Sequence, residues 1–166
     1  MQCVVHEPGE IEAQFSHAGT SNVLHKFLTY HSPGPIFIPR DKGFTTDGPY
    51  TLPSWLSEED VNYYANKYNQ TGFTGALNYY RALNLNWELT APWTGAKVNV
   101  PVKFIVGDLD LTYNSPGTKD FIHGGGFKSY VPFLEEIVVM EGVGHFINEE
   151  RAEEISTHIY KFIKNF

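Results

Sequence analysis

The sequence predicts an α/β protein in which a helical, aromatic region precedes a strand, helix, strand, helix unit. Three observations carry that reading. The character of the chain changes near residue 100, where Pro/Gly-interrupted helical patterns give way to β-branched runs. "VPVKFIVGDLD" ends in Gly and Asp, and "LEEIVVMEGVGH" repeats that design about thirty residues later, so each reads as a buried strand followed by a loop. Between them and after them lie helical segments, and a strand, helix, strand order implies two parallel strands joined by a crossover.

Each element has its own justification. "PGEIEAQFSHAG" and "TSNVLHKFLTY" are short helices, the second opening on a Thr/Ser cap. The Pro/Gly-rich "HSPGPIFIPRDKGFTTDGPYTLPSW" is a long connection, and the prolines around "PIFIP" make that stretch an edge or a loop. In "WLSEEDVNYYANKYNQ", Ser57 is an N-cap and the acids after it oppose the helix dipole. "TGFTGALNYYRALNLNW" reads as one further helix, weakened by Gly75, with Phe73, Leu77, Tyr80 and Leu83 at helical spacing. "SPGTKDFIHGGGF" holds a short helix before a glycine turn. "NEERAEEISTHIYKFIKNF" is an amphipathic helix with Ile155, Ile159, Phe162 and Ile163 on one side.

Composition bounds the function. The chain has 166 residues, 42% of them hydrophobic, which suits one core. With 19 Asp and Glu against 12 Lys and Arg, and no basic run, a nucleic-acid surface is not expected. The longest aliphatic run, Ile137 to Met140, is far short of the roughly 20 residues of a membrane helix. The N-terminus carries no basic region followed by an apolar stretch, and Cys3 is the one cysteine. A soluble, cytoplasmic protein is expected.

Two parallel strands do not make a stable sheet, because such sheets are normally covered on both faces and extended at their edges. The chain therefore reads as the C-terminal part of a larger α/β protein. In open α/β sheets functional groups gather beyond the carboxyl ends of the strands. Both strands end in an ionisable residue there, Asp110 after the first and His145 after the second, 35 residues apart. An acid orienting a histidine that follows it fits the later part of a nucleophile, acid, histidine order. The plain alternatives are that Asp108 or Asp110 serves a turn or cap and that His145 is a solvated loop residue. His145 with Glu149 and Glu150 has too few ligands for a metal site, and the two acids suit the first turn of the last helix. "HGGGF" resembles an anion-binding loop but follows a helix instead of opening one after a strand, so it reads as a flexible turn. No cofactor or metal is expected.

The runs "TGFTGALNYYRALNLNWELTAPWTGAKVNVPVKFIVGDLDLTY", "GGFKSYVPFLEEIVVMEGVGHFINEERAEEIS" and "HIYKFI" resemble the second half of plant-type soluble epoxide hydrolases of the α/β-hydrolase superfamily. "PGEIEAQF" and "WLSEEDVNYYANKY" resemble that family's helical cap. The resemblance implies a partial α/β-hydrolase fold, with residues 1–95 as the cap and 96–166 as the C-terminal part of the core, holding the last two strands of the sheet. In that family an aspartate nucleophile opens a small hydrophobic epoxide to an ester, two cap tyrosines donate to the epoxide oxygen, and a histidine–aspartate pair activates water. The resemblance makes His145 the base, Asp110 its orienting acid and Tyr80 one cap tyrosine, with Tyr79 as its neighbouring competitor. The chemistry suits the types: an imidazole takes a proton near neutrality, a carboxylate fixes its tautomer, and a phenol donates to a developing alkoxide.

The departures are equally specific. The family's nucleophile and its His-Gly-x-Pro segment lie in an N-terminal half, and neither that motif nor a Gly-x-Asp-x-Gly-like elbow occurs in these residues. The second cap tyrosine falls at or just before Met1. The expectation is an epoxide hydrolase whose complete site needs the missing half. The alternatives are a non-catalytic truncated product binding a hydrophobic ligand or partner, and a haloalkane dehalogenase-like hydrolase, which shares the aspartate and histidine but lacks the tyrosine pair.

Overall fold

The structure is a computed structural model that describes residues 7–36, 38–39, 42–46 and 50–166. The chain divides into two compact units. One contains the described residues up to Thr29 and those from 38 to Thr94; the other contains Tyr30–Ile36 and Gly95–Phe166.

The first unit is helical. α1 (Glu10–Ala18) and α2 (Thr20–Leu28) meet at Gly19, whose φ of 86° makes a corner that an L side chain would resist. The expected Thr/Ser cap of α2 is not formed: Thr20 is already helical, and its hydroxyl donates to Asn69 Oδ1 instead. α3 (Glu58–Thr71) starts as expected, with Ser57 Oγ accepting from Asp60 N–H at 3.1 Å and Asp60 Oδ2 accepting from Ser57 N–H at 3.0 Å. Phe15 forms the centre of one core cluster, its ring edge-on to Phe27, Phe44 and Phe73. Leu24, Leu56, Val61 and Ala65 form another.

The single helix expected over 71–87 is two, α4 (Thr74–Arg81) and α5 (Leu83–Thr90), broken at Ala82. Leu77 is buried, whereas Tyr80 and Leu83 are exposed. The cause lies in the period: Leu83, Leu85, Trp87 and Leu89 recur every second residue, which spreads them around a helix and leaves it no apolar stripe. A 3₁₀ turn, Ala91–Trp93, follows. Pro35, Ile36, Ile38 and Pro39 are irregular, as their prolines suggest, while Phe37 lies outside the described residues.

The second unit is built on two parallel strands, β1 (Val102–Gly107) and β2 (Leu134–Met140), paired from Lys103 opposite Glu136 to Gly107 opposite Met140. One extra residue, Glu135, enters the register between Val102 and Lys103. Alternation along the strands creates two faces. Phe104, Val106 and Ile137 pack with Tyr113, with Ile122 of α6 (Thr118–His123) and with Phe127 of α7 (Gly126–Tyr130). Ile105, Val138 and Met140 pack with Val143, with Ile147 of α8 (Ile147–Glu150) and with Ile155 of α9 (Ala152–Ile163).

Three expectations are corrected in this unit. The strands are partly exposed rather than buried, with Val139 40% exposed, because among the described residues each is paired along one edge. The glycine turn at 123–127 contains the start of α7: Gly126 is helical, packed so tightly on the Phe121 ring that a β-carbon would collide with it. The last helix is broken at Arg151, whose φ of −137° and ψ of 47° are not helical. On α9 Ile155 is buried, but Ile159 and Ile163 are exposed.

Candidate active site

Two loops leave the same end of the strands, and they are fastened to each other. Asp108 N–H donates to Met140 O at 3.0 Å and Leu109 N–H to Val143 O at 3.0 Å. In return Asp108 Oδ1 accepts from Gly142 N–H at 2.8 Å and Val143 N–H at 3.3 Å. Asp108 is thus a tie between the loops, beyond the turn role its position suggests.

That tie sets the stage for Asp110, which is 7% exposed. A buried carboxylate must find donors. Its Oδ1 accepts from Thr112 N–H and Tyr113 N–H, both at 2.7 Å, and Asn114 Nδ2 bridges the carbonyls of Asp108 and Asp110. With Oδ1 occupied, Oδ2 is left to face His145, and it lies 2.6 Å from Nδ1 of that ring. An ionised carboxylate can only accept, so the proton sits on Nδ1 and Nε2 is the acceptor of the neutral imidazole. The ring is half exposed and stands edge-on to Phe146. An imidazole so oriented can receive a proton on Nε2 while the carboxylate stabilises the cation that results.

Tyr80 belongs to the other unit. It lies on α4 and is 56% exposed, with Tyr79 at 78%. Beside it Arg81 grips Glu12 through both guanidinium nitrogens, at 2.7 and 2.9 Å, and this bond holds the Glu12 carboxyl well below its ordinary range, at about 2.

Two residues near His145 escaped the sequence reading. Glu150 Oε2 accepts from Gly144 N–H at 2.9 Å and lies 3.0 Å from His31 Nε2. Glu150 read as a helix-turn acid, and His31 as part of a connection 119 residues upstream, so no local signal joined them. Among the described residues no group of three or more His, Cys, Asp or Glu side chains could hold a metal ion, and no helix is long and apolar enough to cross a membrane.

No family model matches the chain. Individual proteins do. Epoxide hydrolase 2 of Siraitia grosvenorii is 57% identical over 165 residues, covering 99% of this chain and 52% of the relative. The solved epoxide hydrolase I of potato, Solanum tuberosum, is 60% identical with a TM-score of 0.90, covering 98% of this chain and 51% of that one. An epoxide hydrolase mutant of Vigna radiata reaches a TM-score of 0.92 at 56% identity, again over 99% of this chain and 52% of its own. This chain is similar to one part of these plant epoxide hydrolases. It spans about half the length of the relatives it matches. The fold is therefore the one found in part of those solved epoxide hydrolases, and the two-stranded parallel sheet agrees with a partial α/β fold. Epoxide hydrolase A of Mycobacterium tuberculosis, at 33% identity over 80% of this chain, extends the likeness beyond plants.

Proposed function

We propose that this chain supplies the water-activating half of an epoxide hydrolase site, with His145 as base, Asp110 as its orienting acid and Tyr80 as a donor to the epoxide oxygen. The observation that carries the proposal is the 2.6 Å approach of Asp110 Oδ2 to His145 Nδ1 in a chain 57% identical to a named epoxide hydrolase. Residues 1–95 act as the cap and 96–166 as the C-terminal part of the core, working in the cytoplasm on a small hydrophobic epoxide. An aspartate carboxylate from a further part of the fold, outside these residues, attacks an epoxide carbon and breaks its C–O bond. Tyr80 O–H donates to the oxygen as it becomes an alkoxide. Water then attacks the carbonyl carbon of the ester while Nε2 of His145 takes its proton. The tetrahedral intermediate collapses, the leaving oxygen takes the proton held by His145, the water's second proton passes from the new carboxyl group to the oxygen freed at ring opening, and a vicinal diol and the free carboxylate emerge.

The test is reconstitution. The chain is coexpressed with the remaining half of a plant epoxide hydrolase and assayed on styrene oxide. Turnover that appears on coexpression and vanishes with His145→Gln supports the proposal. Turnover that survives His145→Gln overturns it.

A further inference from the structure

Glu150 carries a buried carboxylate, its side chain 4% exposed, and it faces two donors. One is the backbone N–H of Gly144, the residue immediately before His145; the other is Nε2 of His31, from the Tyr30–Ile36 segment of the same unit. The fit is close. A β-carbon on Gly144 would stand 2.9 Å from Glu150 Oε1 and 3.2 Å from His31 Nε2. The carbonyl of Gly144 is confined as well, lying 2.6 Å from the place a β-carbon on Gly107 would occupy. Gly144, the residue that introduces His145, is therefore bonded at its N–H by Glu150 and packed at its carbonyl against Gly107 of β1.

We propose that Glu150 and His31 are a positioning pair for His145, fixing the Gly144 peptide so that the imidazole meets Asp110 with Nδ1 foremost. The proposal rests on the reading of His145 as the base. Neither residue touches the reacting atoms; both act through the backbone. The reasoning is one of reach. Asp110 holds the ring by a single hydrogen bond, which leaves rotation about χ1 and movement of the loop as freedoms. Fixing the preceding peptide removes the second of these. A buried carboxylate needs more than one hydrogen-bond donor, and the His31 imidazole supplies the one that the loop's backbone does not. Loss of His31 leaves Glu150 with Gly144 N–H as its remaining described partner.

The experiment uses the full chain, labelled with 15N, and no substrate. In the unaltered protein the His145 Nδ1 proton, bonded to Asp110, is expected as a low-field signal slow to exchange with solvent, and the Gly144 amide as a protected one. His31→Ala and Glu150→Ala are each expected to remove the His145 signal and to speed Gly144 exchange by about ten- to a hundredfold, while amides of β1 and β2 keep their protection. His31→Gln, which restores a side-chain N–H in place of Nε2, is expected to recover both. Asp110→Asn is expected to abolish the His145 signal without exposing Gly144, separating the two holds. The proposal is overturned if His31→Ala leaves both readouts unchanged, or if it lowers protection uniformly across the unit, as a merely structural residue would. Should Glu150→Ala fail to fold, the His31 series decides, because that side chain is 38% exposed and its removal opens no core. The readouts are independent of turnover. Activity surviving His145→Gln removes the catalytic reading and leaves the pair, whereas unchanged Gly144 exchange removes the pair and leaves the base.

Discussion

Gly107 and Val143 approach so closely that a β-carbon on Gly107 would overlap the Val143 carbonyl oxygen. No rotamer relieves this, since both partners are backbone. Gly107→Ala is therefore expected to destabilise the second unit by about 1–3 kcal/mol or more, seen as a lower midpoint in urea. Gly75→Ala is the control: it is helical with nothing within 4 Å of its β-carbon position, and it is expected to stabilise by about 0.5–1 kcal/mol.

The two oxygens of Asp110 have separate tasks, so two substitutions separate them. Asp110→Asn keeps an oxygen for Thr112 and Tyr113 but places an N–H donor against Nδ1, which favours the wrong tautomer. The reconstituted enzyme is expected to lose activity on the order of 10³- to 10⁴-fold with little change in melting temperature. Asp110→Ala also strips the acceptor from two backbone N–H groups and is expected to cost about 1–3 kcal/mol in stability. Equal melting of the two variants would contradict the division.

Much of this site was legible because its signal is local. A β-branched run ending in an acid, and another ending in a histidine, state the pairing as soon as the strands are parallel, and the structure brings Asp110 and His145 together. Ser57 was equally plain as an N-cap, since a hydroxyl before a run of acids is a local signal, whereas the return bond from Asp60 to Ser57 N–H was supplied by the structure. What stayed hidden depends on tertiary contact. The break at Ala82 answers to where Leu77 finds a core and Leu83 does not; the helical state of Gly126 answers to the Phe121 ring; the partnership of His31 with Glu150 joins segments with no pattern between them. The role of Tyr80 rests on resemblance, because an exposed tyrosine on a short helix carries no chemical signature of its own.

The Glu12–Arg81 pair has a predictable acid limb. Glu12 has a folded value of about 2 against an ordinary 4.5, so its proton is bound more weakly in the folded state. Its contribution is complete above about pH 4.5 and fades as the pH falls toward 2. Thermal melts across that window should show Glu12→Gln converging on the parent chain at the acid end and falling below it at neutral pH. A gap independent of pH would exclude the ion pair as its source.

Leu83, Leu85, Trp87, Leu89 and Trp93 are each more than half exposed. Apolar side chains of that size left in solvent, even when spread around a helix, favour contact with another apolar surface. Sedimentation of the purified chain is expected to show association that rises with concentration and weakens when Trp87 and Leu89 are both changed to Ser. A strictly monomeric chain at high concentration would contradict it.

The extra residue at Glu135 has a bearing on how this chain can change length. Slack between the strands is gathered where they begin, at Val102 and Leu134, far from the loops; where they end, four hydrogen bonds around Asp108 leave none. A residue inserted between 131 and 135 meets a register already able to absorb one, and the strand ends keep step. The same insertion between 141 and 144 has nowhere to go, and it carries His145 off Asp110. Among the relatives of this chain, insertions and deletions should therefore collect at the entrance of the second strand and avoid its exit, so that the spacing from Met140 to His145 is inherited as a fixed measure while the crossover before the strand drifts.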